Sequence, residues 1–202
     1  MPRPALLFDI GNVLLRFDFR VAAQRFSELS DASATDVLGL MSPFKEDLES
    51  GAIDDATFTQ LATERIGFRG SVEQFAHIWG DIFEANEPMV AHLDELVSLH
   101  PCYLFSNTNG LHKDFFMQRF PFFAKFAGGI FSHEARAMKP HEPIYRHAIE
   151  KFDLDPAQTF YIDDLADNIA TGQRLGFQSY QYDFNRHEAF EAALRDWLAR
   201  HR

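Results

Sequence analysis

Apolar positions in this chain fall into short unbroken blocks separated by long amphipathic stretches. Ala5 to Asp9 reads ALLFD, Cys102 to Ser106 reads CYLFS, Gly129 to Ser132 reads GIFS and Thr159 to Asp163 reads TFYID. Blocks of this length, apolar on both parities, predict strands of a parallel sheet buried on both faces. A fifth, weaker block runs from Gln178 to Tyr182. Between the blocks, apolar residues recur near helical spacing. Helices are predicted over Asp54 to Ile66 (Phe58, Leu61, Ala62 and Ile66 inward, Asp54 or Asp55 as cap), Val72 to Phe83, Pro88 to Leu99, Leu111 to Arg119, Glu142 to Phe152, Leu165 to Leu175 and His187 to Ala199. Strands alternating with helices predict an α/β fold with a doubly wound parallel sheet.

The spacing is uneven. Roughly ninety residues separate the first two strands, far more than one crossover needs. Several helices fill that interval. Residues 16–85 are therefore expected to form a helical cap inserted after the first strand, over the carboxyl edge of a core made of residues 1–15 and 86–202.

Composition narrows the function classes. The 202 residues carry a formal net charge of −11, so a nucleic-acid partner is not expected. No apolar stretch is long enough to span a membrane, and the N-terminus MPRPALLFD lacks the features of a signal peptide. The single cysteine, Cys102, sits in an apolar run and is expected to be a packed core thiol. These features predict a cytoplasmic protein, monomer or homodimer. Trp79 and Trp197 are expected in packing roles. His112, His133 and His141 lie near the polar strand ends, where ordinary polar roles are preferred over catalytic ones.

Ligands of open parallel sheets bind beyond the carboxyl ends of the strands. The first strand ends in Asp9 and the second in Ser106, followed by Asn107. The third leads to Lys139, and the fourth ends in Asp163 and Asp164, with Asn168 just after. Singly, each is an ordinary turn or cap residue. Together they put a carboxylate, a hydroxyl, an ammonium and paired carboxylates on one edge. Clustered carboxylates repel unless a cation joins them, and oxygen ligands beside a phosphate favour Mg²⁺. Asp9 is then placed to attack phosphorus, Ser106 and the amides around Asn107 to hold phosphoryl oxygens, and Lys139 to neutralise charge.

The stretches FDIGNVLLRFDF (8–19), LFSNTNGLH (104–112), MKPHEPIY (138–145) and YIDDLADNIATG (161–172) resemble, in order, the four motifs of the haloacid dehalogenase-like hydrolase superfamily. The likeness is to its small bacterial phosphatases of sugar phosphates such as α-glucose 1-phosphate. It implies a Rossmann-like core with a cap of the first type. It also implies a Mg²⁺-dependent phosphomonoesterase for a small phosphorylated metabolite. By resemblance, Asp9 is the nucleophile, Ser106 the phosphate-binding hydroxyl and Lys139 the third-motif lysine. Asp164 is the main metal-binding acid, with Asp163 beside it and Asn168 supporting.

The first motif departs from the family pattern. Its second aspartate, whose carbonyl ligates magnesium and whose side chain serves as general acid, is replaced by Gly11. The following glycine is replaced by Asn12. Glycine keeps the carbonyl and loses the acid, while asparagine tolerates a left-handed backbone. Asp18, Lys45 and Glu49 are the candidate replacement acids. The loop around Phe44, Lys45 and Glu49 to Ile53 is the expected specificity element. Two other readings stay open: a 2-haloacid dehalogenase, which the Asp163–Asp164 pair disfavours, and a phosphate- or partner-binding protein of low turnover. A mutase reading is weakened by Gly11.

Overall fold

The computed structural model describes residues 4–201; residues 1–3 of the expected core segment, and residue 202, lie outside the described residues. Among the described residues there are seven strands: β1 (Ala5–Phe8), β2 (Leu15–Phe17), β3 (Phe83–Ala85), β4 (Cys102–Ser106), β5 (Gly128–Phe131), β6 (Thr159–Asp163) and β7 (Gln178–Gln181). Five of them form one parallel sheet in the order β5-β4-β1-β6-β7. The fold is therefore the α/β, doubly wound parallel sheet predicted from the apolar blocks.

The sheet is built by period-two burial. Leu6, Phe8, Cys102, Leu104, Phe160 and Ile162 face one side. They meet Met89, Leu93, Leu96, Phe116, Phe190, Leu194 and Trp197 from the covering helices. Ala5, Leu7, Phe105 and Tyr161 face the other side and pack on Ile144, Tyr145, Ala148 and Ile169. Cys102 is buried and burial pushes its thiol up to about 12, so it is inert packing. The chain winds outward from β1 to β4 and β5, then returns to the other side for β6 and β7. The crevice at the carboxyl ends of β4, β1 and β6 is therefore the switch point where such sheets bind ligands.

The interval after β1 is helical, with Phe19–Glu28, Ala34–Met41, Lys45–Glu49, Asp55–Ile66 and Val72–Gly80 as its α-helices. Local sequence sets their ends. Asp18 caps the first through Arg20 N–H, Asp54 caps the fourth through Thr57 N–H, and Ser71 with Gln74 forms a capping box on the fifth. Gly67, at φ 65°, closes Asp55–Ile66 in the left-handed region. Ala22, Phe26, Phe58, Phe75 and Trp79 belong to a separate hydrophobic cluster of this cap.

Two expectations are corrected. Helix Val72 to Phe83 ends at Gly80, and Phe83 instead begins β3, which pairs antiparallel with β2 (Phe17 opposite Phe83, Leu15 opposite Ala85). Asp81 stops the helix, anchored to Arg25 at 2.6 Å. This ribbon is the two-way passage between sheet and cap. The helix expected over Pro88 to Leu99 is two, Glu87–Val90 and Leu93–Leu99, broken at Ala91 and His92. The buried positions Met89, Leu93 and Leu96 keep one spacing through the break, so the pattern alone reads as continuous. Among the described residues no helix is long and apolar enough to cross a membrane.

Candidate active site

The site begins where β1 stops. Asp9 is the first residue past the strand, still tied to the sheet by its N–H to Ile162 O at 2.9 Å. The chain then folds tightly: Leu14 and Leu15 N–H both donate to Ile10 O at 2.9 Å, and Asn12 N–H donates to Leu15 O at 2.7 Å. Asn12 has φ 53°, the left-handed conformation expected of it. Its side-chain amide donates to Asp164 Oδ2 at 2.9 Å, joining the β1 loop to the β6 loop.

A neighbour crowds the space beside Gly11. A Cβ at position 11 would lie 3.0 Å from Cε1 of Phe17. The ring edge of Phe17, on the ribbon into the cap, borders that position.

Lys139 lies at the centre, 3% exposed. Its ammonium is 2.9 Å from Asp9 Oδ1 and 2.6 Å from Asp163 Oδ2, and it donates to Phe105 O at 2.7 Å. Three acceptors thus meet three ammonium hydrogens. Burial opposes the charge of Lys139, but Asp163 and Asp9 outweigh it and hold the ammonium above its ordinary range. Burial pushes the Asp9 carboxyl up to about 7, against the pull of Lys139 and with Asp163 adding repulsion. The segment carrying Lys139 is clamped by Asn107, whose amide donates to Lys139 O at 2.8 Å and accepts from Lys139 N–H at 2.9 Å.

The two fourth-strand aspartates differ. Asp163 is fully buried, and both its oxygens are occupied. Oδ2 accepts from Lys139 and from Tyr161 OH at 2.6 Å; Oδ1 accepts from Asn168 Nδ2 and from Leu165 N–H, each at 2.9 Å. Four donors fill the lone pairs of a carboxylate. Tyr145 OH extends the network by donating to Asn168 O at 2.9 Å. Asp164 instead faces the cavity with only Asn12 on its carboxylate, and burial raises its pKa. Oxygens of Asp9, Asp163 and Asp164 lie within 4.8 Å of one another. This all-oxygen donor set fits a hard cation such as Mg²⁺.

A cavity of about 410 Å³ opens over these groups. Its floor comes from Asp9, Gly11, Asn12, Ser106, Asn107, Lys139, Asp164 and Asn168; its roof from Phe17, Phe19, Lys45 and Glu49 of the inserted segment. All the motif residues expected at the site therefore line it except Asp163, which supports it from beneath. Ser106 is buried, its hydroxyl beside Asn107 O at 3.4 Å. Of the candidate replacement acids, Asp18 is overturned. Its carboxylate caps its own helix and pairs with Arg20 at 2.7 Å, and it is not among the cavity residues. Lys45 and Glu49 do line the cavity, 3.8 Å apart, and burial raises the Glu49 carboxyl against the pull of Lys45.

His112 also lines the cavity, as a strut. It is buried, its Nε2 is 3.1 Å from Trp79 O of the cap, and its Nδ1 is 3.0 Å from the Asn109 amide. Donation to the carbonyl and acceptance from the amide define a neutral ring with its proton on Nε2. Burial pushes its pKa down to about 3. His133 bonds Thr108 O at 3.0 Å, and His141 precedes helix Glu142–Phe152; neither lines the cavity. The cap also touches the sheet domain at Asp55, whose carboxylate lies against the start of helix Gly110–Arg119, so close that a Cβ on Gly110 would lie 2.0 Å from it. Tyr161 was missed by sequence reasoning. Its signal was present, because period two puts it on the same strand face as Asp163.

A family model for haloacid dehalogenase-like hydrolases matches residues 4–176. The chain belongs to that family, and it is a hydrolase. It is 26% identical over 187 residues to a D-ribitol-5-phosphate phosphatase from Bacteroides thetaiotaomicron, covering 87% of this chain and 90% of the relative. A crystal structure of a family enzyme from the same organism, in complex with magnesium and inorganic phosphate, superposes with a TM-score of 0.81. It is 25% identical, with 91% of this chain and 96% of that one covered. A structure described as a predicted family hydrolase from Porphyromonas gingivalis gives 0.82 at 27% identity, covering 96% and 98%.

Proposed function

We propose that this hydrolase, of the phosphatase kind, releases phosphate from a small phosphorylated metabolite, a sugar or sugar-alcohol phosphate, through an aspartyl-phosphate on Asp9. The observation that carries the reading is the Asp9 carboxylate held 2.9 Å from the Lys139 ammonium on the floor of the cavity. An oxygen of Asp9 forms the new bond to phosphorus as the bond to the alcohol oxygen breaks. The leaving alkoxide takes a proton, and water then cleaves the acyl phosphate to regenerate Asp9 and free phosphate. Lys139 holds Asp9 in place and offsets charge on the phosphoryl group, while Ser106 and the backbone beside Asn107 receive its oxygens. Asp9, Asp164 and the Gly11 carbonyl would hold Mg²⁺, which supplies the charge neutralisation that brings two carboxylates and a phosphate together.

Asp163 acts as the anchor of Lys139, since its oxygens are already occupied. Glu49 is the group we assign to leaving-group protonation, because it roofs the cavity and its burial favours the protonated form. Segment 16–85 is the cap that excludes water and selects the substrate, through Phe19, Lys45 and Glu49. The cavity volume lies within the range of small-metabolite sites. The D-ribitol-5-phosphate phosphatase relative supports the substrate class. A dehalogenase would use the same nucleophile but gives no reason for a cavity-facing Asp164 beside it.

The test is phosphate release from a panel that includes D-ribitol 5-phosphate and α-glucose 1-phosphate, with Mg²⁺ and with EDTA. Metal-dependent release that Asp9→Asn abolishes supports the reading. Inertness toward every ester, with turnover of 2-haloacids, overturns it.

A further inference from the structure

A second cluster of ligand-type side chains lies outside the cavity. His92 sits in the break between helices Glu87–Val90 and Leu93–Leu99. His187 and Glu191 occupy one face of the C-terminal helix His187–Arg200, one turn apart. Their reactive atoms converge. His92 Nε2 is 3.0 Å from Glu191 Oε1, His187 Nε2 is 3.7 Å from the same oxygen, and the two Nε2 atoms are 3.4 Å apart. The rings are nearly parallel, at 25°.

Donation from both Nε2–H groups to Glu191 would satisfy the carboxylate, but it would set two N–H groups face to face at 3.4 Å, with the His187 one 3.7 Å from its acceptor. Two imidazole nitrogens at 3.4 Å need one proton between them, while His92 Nε2 also needs its proton for Glu191. One cation at the centre lets both nitrogens and the oxygen act as lone-pair donors. A point equidistant from the three atoms lies about 2.0 Å from each, which matches zinc–nitrogen and zinc–carboxylate bond lengths. The surroundings support this geometry. His187 Nδ1 is hydrogen-bonded to Tyr182 OH at 2.9 Å, and Tyr182 OH accepts from the Asn86 amide at 2.9 Å. With Nε2 on the metal, Nδ1–H donates to the Tyr182 oxygen, which then orients the ring as the outer partners of metal-bound histidines do. The side chains are 15–36% exposed, which leaves one side for a water ligand.

We propose that His92, His187 and Glu191 form a second metal site, for a zinc-class divalent cation, distinct from the oxygen-lined carboxylate site. Two imidazoles and one carboxylate select zinc, cobalt, nickel or copper over magnesium. The site pins the C-terminal helix to the turn after Val90. Through Tyr182 and Asn86, whose amide also donates to Val13 O at 2.7 Å, it braces the loop that carries Asn12.

Co²⁺ is the probe, because its visible absorption reports coordination by nitrogen ligands. Full-length protein stripped with EDTA is titrated with Co²⁺ in excess Mg²⁺, then with Zn²⁺ as competitor. The expected result is one absorbing Co²⁺ per chain, displaced by Zn²⁺ and retained in Asp164→Asn. Glu191→Gln should weaken it ten- to a hundredfold and His92→Asn should abolish it. Far-UV circular dichroism of the stripped variants checks folding, and Glu191→Gln, a near-isosteric change on a helix surface, carries the test if His92→Asn does not fold. No saturable absorption, or absorption lost in Asp164→Asn and kept in Glu191→Gln, overturns the proposal.

Discussion

Placing an aspartate, the general acid of the resembled superfamily motif, at position 11 is the sharpest perturbation of this site. In Gly11→Asp the new Cβ would lie 3.0 Å from Phe17 Cε1, tighter than ordinary van der Waals contact. Phe17 must give way, and it is expected to turn aside. It is 38% exposed, so solvent is open to it, but it leaves edge contacts with Phe19 at 5.5 Å and Phe83 at 6.3 Å. Aromatic pairs contribute roughly 0.5–1.5 kcal/mol each beyond area, so losing one or two costs about 1–2 kcal/mol. For a chain of this length that lowers Tm by about 2–8 °C. The restored acid is worth roughly 10²–10⁴ in rate for a poor leaving group, but only if it reaches the leaving oxygen. With Phe17 in the way, the single variant gains less than about tenfold on an alkyl phosphate, whereas Gly11→Asp with Phe17→Ala gains about a hundredfold. A double-mutant cycle in thermal unfolding and kcat reads both, with stabilities non-additive by about 1 kcal/mol. Gly11→Asp alone with unchanged Tm and a hundredfold rate gain would refute the reasoning: Phe17 would not obstruct position 11.

Three other outcomes follow from the same geometry. Lys139→Met removes the shared partner of two buried carboxylates, so phosphate release is lost and urea unfolding shows a loss of about 3–5 kcal/mol; Asp9→Asn made in that background recovers part of the stability by removing one of the two acids. His112 is neutral in the folded protein, with its pKa down at about 3, while the unfolded chain protonates it near 6.5. The unfolded state then binds more protons between those values, so stability falls as pH drops below 6.5. At pH 5 the loss from this group is about 2 kcal/mol, and His112→Asn flattens that part of the profile in denaturant titrations at pH 7.5 and 5. Glu49→Gln lowers kcat at least tenfold for alkyl esters and leaves an aryl ester with a good leaving group nearly unchanged; equal losses on both would remove Glu49 from the acid role.

The strand blocks and the polar residues at their ends were legible because burial on both faces leaves no polar position inside a strand. A carboxylate at the end of ALLFD therefore stands out. Asn12 was legible from backbone sterics alone, and its φ of 53° follows. The ribbon of β2 and β3 was not. Three residues have no period to detect, and the Phe17–Phe83 pairing joins positions 66 residues apart. Asp163 and Asp164 are equivalent in sequence and opposite in environment, because Tyr161, Lys139, Asn168 and a backbone N–H converge on one of them only. Asn107, expected at the phosphate, has its side chain committed to the Lys139 segment. The crowding beside Gly11 comes from a ring six residues on that only the turn between Ile10 and Leu15 brings back.

The central claim is that Asp9 is the phosphorylated group. Enzyme mixed with Mg²⁺ and its best ester is quenched in acid during turnover, then digested and sequenced by mass spectrometry. The account predicts a phosphate adduct on the Asp9 carboxylate, absent in Asp9→Asn. Full metal-dependent turnover by Asp9→Asn, or an adduct mapped to any other residue, would contradict it.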